Sequence, residues 1–230
     1  STPVGRAVQA LAVVDGFLVV GSKRGVAVLD ATSGALLRET TGIGSVTDVV
    51  IADLIDDVPG LEIAARADMD MLHVESLADG TLLSSTTVGV GGAMVWSDFL
   101  GQNALLAPMQ RGHVVAFDFI ADEEEGWVPQ ARWISDYLAH DAAFVYPTVL
   151  QGEPVLLVGG NIPGSATTLL LIGSNGEVQQ EIPVPIWSVK TVAPWLEGEL
   201  LLAGTGGVLR VNLNTATHTP FAGGAGVVAS

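Results

Sequence analysis

Short apolar runs separated by turns recur along the whole chain. Four of these runs are almost entirely apolar, as is typical of strands that are buried on both faces, and they occupy residues 17–20, 104–106, 155–158 and 200–202. Other runs alternate apolar and polar residues, as in Leu209-Arg210-Val211-Asn212, which is typical of strands with one exposed face. The 28 glycines and 11 prolines are spread between the runs as turn residues. This pattern predicts an all-β protein.

A sequence repeat accompanies the strands. Turns ending in Gly34, Gly80 and Gly126 lie about 46 residues apart, which is within the range of blade lengths in propeller repeats. Residues 21–30 and 109–118 also resemble each other, because each contains a turn ending in Arg-Gly and then an apolar strand that ends in Asp. Cutting the chain at this interval gives five units of four strands, with approximate bounds 1–45, 46–92, 93–142, 143–186 and 187–230.

The repeat predicts a single closed β-propeller domain, residues 1–230, with five four-stranded antiparallel blades. One blade cannot bury both of its faces by itself, so the blades must stack, and closing the ring removes the exposed strand edges. Two β-sandwich domains are the alternative architecture. They account for the strands but not for the regular spacing of the glycines.

Two segments resemble known propeller repeats. Residues 21–37 (GSKRGVAVLDATSGALL) resemble the quinoprotein-like, PQQ-type repeat, in which a Gly-Ser turn leads to a strand, an Asp-Ala-x-x-Gly turn and an outer strand. Residues 51–63 (IADLIDDVPGLEI) resemble the FG-GAP repeat of integrin-type propellers, in which an aspartate-rich loop can hold calcium. These resemblances imply the fold and not the oxidoreductase activity, since the chain has neither the length nor the recurring tryptophan of quinoprotein enzymes.

The resemblance to the FG-GAP repeat also implies a weak calcium site. Asp53, Asp57 and Glu62 would supply oxygen ligands, with Asp56 as an alternative. Calcium usually takes about six to eight oxygen ligands, so carbonyl groups and water would have to complete this set. Ile55 stands where the repeat normally has a further ligand. The competing interpretation is a turn whose aspartates accept hydrogen bonds from backbone N–H groups.

No pattern of catalytic residues occurs in the sequence. The chain contains no cysteine, which excludes disulfides, thiol nucleophiles and zinc–thiolate sites. Its four histidines lack the spacing of a helical metal site, and there is no Gly-x-Ser-x-Gly motif. We therefore predict a protein without enzyme activity and without a required cofactor. The competing class is a hydrolase or quinone-dependent oxidoreductase with a metal held by Asp53, Asp57 or Glu62.

The charge of the chain excludes several kinds of partner. The formal net charge is −16, from nine Lys and Arg residues against 25 Asp and Glu residues. Nucleic acids and anionic membrane surfaces would repel such a chain, and no apolar run approaches the ~18 residues that span a bilayer. No signal peptide is present, so the chain is either cytosolic or has lost a signal. The resemblance to propellers of secreted and surface proteins favours an extracellular, cell-surface or periplasmic location.

The largest interruption of the repeat, between Ile120 and Ala143, predicts a partner-binding segment. An acidic run at residues 122–125 precedes six candidate binding residues: Trp127, Arg132, Trp133, Tyr137, His140 and Asp141. The spacing of the apolar residues predicts a short amphipathic helix over 129–140. Because Trp and Tyr are enriched in binding hot spots, the sequence predicts a scaffold that binds another protein. A carbohydrate-binding propeller is the alternative, although the five tryptophans do not recur once per blade.

Overall fold

The computed structural model describes residues 7–138, 142–160 and 167–221 of the chain. These residues form five four-stranded sheets, in which each strand pairs antiparallel with the next strand in the sequence. The sheets are the blades of a five-bladed β-propeller. The prediction of an all-β propeller with five four-stranded antiparallel blades is confirmed.

Each blade consists of four consecutive strands. Blade 1 contains β1 (Val8–Val14), β2 (Phe17–Ser22), β3 (Gly25–Asp30) and β4 (Leu36–Thr41). Blade 2 contains β5 (Asp48–Ala52), β6 (Glu62–Ala67), β7 (Met71–Ser76) and β8 (Leu82–Thr87). Blade 3 contains β9 (Val95–Ser97), β10 (Ala104–Pro108), β11 (Val114–Asp122) and β12 (Gly126–Ile134). Blade 4 contains β13 (Ala142–Leu150), β14 (Glu153–Gly160), β15 (Thr167–Gly173) and β16 (Val178–Val184). Blade 5 contains β17 (Trp187–Leu196), β18 (Glu199–Thr205), β19 (Gly207–Asn212) and β20 (Thr217–Pro220).

The first strand of each blade is the innermost. Strand β1 contacts β5, β5 contacts β9, and β9 contacts β13, so these strands follow one another around the centre of the ring. Because neighbouring strands in a blade run in opposite directions, each kind of turn lies on one face of the ring. We call the face with the turns between first and second strands, and between third and fourth strands, the lower face. The upper face carries the other turns and the connections between blades.

The core lies between consecutive blades. On blade 2, Ile63 packs with Val19 of blade 1, whereas the next residue, Ala64, packs with Leu105 of blade 3. The two faces of the same strand are therefore buried against different neighbours, which explains why the second strands are apolar at successive positions. Equivalent clusters join blade 3 to blade 4 and blade 4 to blade 5.

Blade 1 also has a small cluster on its other face. It comprises Val20, Ala27 and Leu29, with Leu18 packed against them. No cluster of buried apolar residues in the described ranges joins blade 5 to blade 1. Closure of the ring by contact between these two blades therefore stays a prediction.

A buried polar network joins blade 1 to blade 2. The Arg38 guanidinium of β4 donates to Glu75 Oε1 at 2.6 Å and to the Ser76 carbonyl oxygen at 2.8 Å. His73 Nε2 lies 3.0 Å from Glu75 Oε2, and the Glu75 side chain has no exposed surface. Burial alone would raise the pKa of Glu75, but hydrogen bonds from His73 and Arg38 hold that pKa below its usual value.

The helix predicted over residues 129–140 is wrong. Residues 129–134 of that segment belong to β12, whose residue Ile134 pairs with Val115 of β11. The apolar spacing was compatible with a helix, but hydrogen bonding to the neighbouring strand determined the local structure. In the described part of the chain, no helix has the length and apolarity needed to cross a membrane.

Candidate functional site

A cleft of about 760 Å³ opens at the junction of blades 2 and 3 on the lower face. Three loops or strand ends build it: the β5–β6 loop, the β9–β10 turn and the β11–β12 hairpin. The residues that line this lower cleft are Asp53, Leu54, Ile55, Asp56, Asp57, Trp96, Gln102, Asn103, Asp118, Phe119, Ile120, Trp127 and Arg132.

Glu62 holds in place the acidic wall of the lower cleft, which is the part of the β5–β6 loop that carries Asp53, Asp56 and Asp57. Its Oε2 atom accepts hydrogen bonds from the backbone N–H groups of Leu54, at 2.7 Å, and Ile55, at 3.4 Å. The side chain is fully buried, and Oε1 has no hydrogen-bond partner. Burial raises the pKa of Glu62, and the neighbouring Asp53 charge acts in the same direction. The loop geometry therefore depends on a carboxyl group behind the wall.

Arg132 fixes the opposite wall. Its guanidinium lies 3.0 Å from Asp118 Oδ1 and donates to the carbonyl oxygens of Gln102, at 3.1 Å, and Asn103, at 3.2 Å. These contacts tie the outer strand of blade 3 to the β9–β10 turn. Trp127, which follows the β11–β12 turn, packs at the edge of the core cluster between blades 2 and 3.

The predicted calcium ligands do not meet around one point. Asp53, Asp56 and Asp57 line the lower cleft, whereas Glu62 lies behind the loop with one oxygen bonded to backbone N–H groups. Within the described residues, no group of three or more His, Asp or Glu side chains is arranged to hold a metal ion. The loop is stabilised by the glutamate that the sequence had suggested as a ligand. Calcium binding stays a prediction.

The predicted partner-binding residues separate into different environments. Trp127 and Arg132 line the lower cleft, as described above. Trp133 packs between blades 3 and 4, where its ring meets Phe99 edge to face at 5.8 Å and its Nε1 donates to the Ser174 carbonyl oxygen at 2.9 Å. Tyr137 is two-thirds exposed on the upper face. His140 and Asp141 lie outside the described residues.

A second, more apolar groove of about 600 Å³ lies at the same blade junction on the upper face. Its lining residues are Val88, Gly89, Met109, Gln110, Arg111, His113, Val115 and Ile134. Tyr137 stands beside this upper groove, because its ring lies 5.6 Å from the His113 ring. Ile134 and Tyr137 are 56% and 66% exposed, so the upper groove and its rim present apolar side chains to solvent.

The loop that carries Tyr137 is held by hydrogen bonds. Ser135 N–H donates to the Val114 carbonyl oxygen at 2.9 Å, and Leu138 N–H donates to the Gly112 carbonyl oxygen at 2.7 Å. Val114 N–H in turn donates to Ser135 Oγ at 2.9 Å. The loop therefore follows the start of β11 and presents Tyr137 in a fixed position.

Sequence reasoning missed several of the lining residues. Trp96, Gln102, Asn103 and Asp118 belong to regular blade strands and turns, and no local motif distinguishes them. Trp96 was the one available signal, because it lies in the first strand of the blade whose fourth strand contains Trp127. Ile134 was missed because it was assigned to a helix.

No protein-family model and no curated protein matches the sequence. Solved structures do match the fold. The computationally designed Ika8 protein has 16% sequence identity to this chain, over 92% of this chain and 60% of its own, with a TM-score of 0.63. BamB from Moraxella catarrhalis has 15% identity, over 93% of this chain and 63% of its own, with a TM-score of 0.62. A chain of the mitotic checkpoint complex has 17% identity, over 88% of this chain and 59% of its own, with a TM-score of 0.60.

These likenesses concern the fold. The chain is a β-propeller. It spans about three-fifths of the length of each of the three matching chains. At 15–17% identity, no residue role transfers from one of these proteins to the two surfaces described above.

Proposed function

We propose that this protein is a non-enzymatic scaffold that binds another protein at the upper groove between blades 2 and 3. The observation that carries the proposal is the exposure of Ile134 and Tyr137 beside an apolar groove. Contiguous apolar surface of this kind is uncommon on soluble proteins unless a partner covers it. A tyrosine is well suited to this role, because it contributes a large apolar area and a polar group at its tip.

The fixed loop supports the same proposal. Because Ser135 and Leu138 already hold the loop against β11, little conformational freedom is lost when Tyr137 is covered. The fold is also compatible with assembly, since one of the similar chains belongs to the mitotic checkpoint complex, a protein assembly. The proposal of a role without catalysis rests on the missing catalytic motifs of the sequence.

The test compares two double variants in a pull-down from extracts of the native source. Ile134→Ser/Tyr137→Ser removes the exposed apolar side chains at the upper groove. Leu37→Ser/Val149→Ser is the matched control, because these side chains are similarly exposed, at 53% and 55%, but lie on blades 1 and 4.

A protein captured by the wild type and by the control, but lost with Ile134→Ser/Tyr137→Ser, is the expected result. Equal capture by all three proteins would contradict the placement of the interface. Trp133→Ala is unsuitable for this experiment, because Trp133 packs between blades and its loss would lower stability as well as binding.

The proposed setting is extracellular, cell-surface or periplasmic, in keeping with the resemblance to propeller repeats of secreted and surface proteins. Fractionation of the native source measures this directly. Carbohydrate binding is the second candidate function, favoured by Trp96 and Trp127 beside the side-chain amides of the lower cleft. A glycan array with the wild type and Trp127→Ala would test it.

A further inference from the structure

We propose that the lower cleft is a separate binding site for an extended protein segment rich in Lys and Arg. This site lies on the opposite face of the ring from the upper groove and does not depend on the function proposed there. Its ligand class follows from three features of the cleft, which are its unpaired carboxylates, its two tryptophans and its fixed walls.

The charge of the lower cleft favours a cation. Asp53, Asp56 and Asp57 are exposed along one wall, and none of them takes part in an ion pair among the described residues. The one basic side chain of the lining, Arg132, is already paired with Asp118 at 3.0 Å. The lining therefore keeps an excess of three negative charges, from four Asp and one Arg, within a protein whose formal net charge is −16. Such a field attracts basic partners and accelerates their encounter.

The two tryptophans add a second contact for the same chemistry. Trp96 and Trp127 both line the lower cleft, and both are partly buried against the core between blades 2 and 3. An indole ring attracts ammonium and guanidinium groups by a cation–π interaction and packs against their methylene groups. A basic side chain in this cleft would meet carboxylates and indoles together. A neutral sugar would use the indoles but would leave the three carboxylates without a counter-charge.

The walls of the lower cleft are formed before any ligand binds. Glu62 holds the acidic loop through two backbone N–H groups, and Arg132 holds the opposite wall through two carbonyl oxygens. Because these contacts use groups other than Asp56 and Asp57, replacing those two aspartates leaves the frame of the cleft intact. That separation allows the charge to be tested without disturbing the fold.

The experiment measures binding of a synthetic peptide by isothermal titration calorimetry. The probe is an acetylated and amidated heptapeptide, Gly-Arg-Lys-Gly-Arg-Lys-Gly, and the matched peptide replaces each basic residue by Gln. Asp56→Asn/Asp57→Asn removes two charges from the cleft. Glu153→Gln/Glu197→Gln removes two charges from exposed lower-face turns of blades 4 and 5 and serves as the control. Thermal melts verify that both variants fold.

We expect the basic peptide to bind the wild type and the control with a Kd below ~1 mM, and the Gln peptide not to bind. Asp56→Asn/Asp57→Asn should weaken binding about tenfold, and raising the salt concentration from about 50 to about 500 mM should weaken wild-type binding about fivefold. No binding of the basic peptide, or equal binding by the cleft variant and the control, would overturn the proposal. A glycan whose binding is lost in Trp127→Ala but kept in Asp56→Asn/Asp57→Asn would overturn it in favour of a sugar site. Neither result affects the pull-down with the upper-groove variants.

Discussion

Replacing Asp48 by Asn is expected to stabilise the protein at neutral pH. Asp48 begins β5 of blade 2, and its Oδ2 accepts a hydrogen bond from the Met94 N–H of blade 3 at 2.6 Å. Burial raises the pKa of Asp48 to about 6, although this hydrogen bond and the attraction of Arg66 act in the opposite direction. At pH 7 the folded protein therefore holds a buried carboxylate at a position where a neutral side chain would give a more stable fold.

The expected size of the effect follows from the pKa shift. The pKa rises from 3.8 to about 6 on folding, and each unit corresponds to ~1.4 kcal/mol. Well below pH 3.8 both folded and unfolded chains are protonated at Asp48, and the residue has no pH-dependent effect. As the pH rises from 3.8 to about 6, the unfolded chain ionises at Asp48 while the folded protein keeps its proton. The folded state therefore loses about 3 kcal/mol relative to the unfolded state, and this loss is complete above about pH 6. Asp48→Asn should recover most of this, which for a chain of this size is a rise in Tm of about 5–10 °C.

Thermal melts of wild type and Asp48→Asn between pH 4.5 and pH 7.5 would measure this effect. The difference in Tm should be small at the acidic end, grow up to about pH 6 and then stay constant. The control is Asp98→Asn, which makes the same charge change at an exposed turn residue. At pH 7.5 the rise in Tm should be larger for Asp48→Asn than for this control. A difference that is absent at pH 7.5, or constant across the range, would refute the role given to burial.

Three further predictions concern stability. Arg38→Met should destabilise the protein by about 3–5 kcal/mol at pH 7, because it removes the guanidinium that pairs with the buried Glu75 carboxylate. Denaturant melts should show the loss shrinking as acid protonates that carboxylate. Gly25→Ala should cost at least ~2 kcal/mol more than Gly42→Ala in the same melts, because both glycines have positive φ but only the Cβ at Gly25 would collide with the Thr40 carbonyl oxygen. Calcium at about 5 mM should raise the wild-type Tm by less than ~2 °C and should leave the Tm of Asp56→Asn/Asp57→Asn unchanged. A larger rise that EDTA reverses would establish a tighter site than we expect.

The fold was predictable from the sequence because its determinants are local and repeated. Glycines at turns such as Gly34, Gly80 and Gly126 have positive φ in the structure, at 69°, 77° and 79°. Glycine, which has no Cβ, is strongly favoured at positions with positive φ. The regular interval between these glycines therefore equals the blade length. The apolar second strands indicated that both faces of each blade are buried, which is the other requirement of the fold.

The candidate sites were only partly predictable, because each is built from residues that are far apart in the sequence. Asp56 and Trp127 belong to different blades and meet across the lower cleft only through the stacking of those blades. A turn motif reveals which residues are exposed but not which turns become neighbours. The segment after Asp122 was recognised as unusual, yet its division between two faces of the ring follows from the pairing of β12 with β11, which local spacing could not show.

The lower cleft lies at the junction of blades 2 and 3 because long segments from both blades meet there. Blades 4 and 5 join their first and second strands through tight turns at residues 151–152 and 197–198, whereas blade 2 uses the longer segment 53–61. Blade 3 adds the nine-residue strands β11 and β12, which extend the hairpin beyond the six-residue strands of blade 1. These longer segments project beyond the tight turns of the other blades and form the sides of a concave surface, which is the kind of surface where ligands bind. The regular part of the repeat thus supplies a stable frame, and the irregular part places different side chains on its two faces: carboxylates and tryptophans below, exposed apolar groups above.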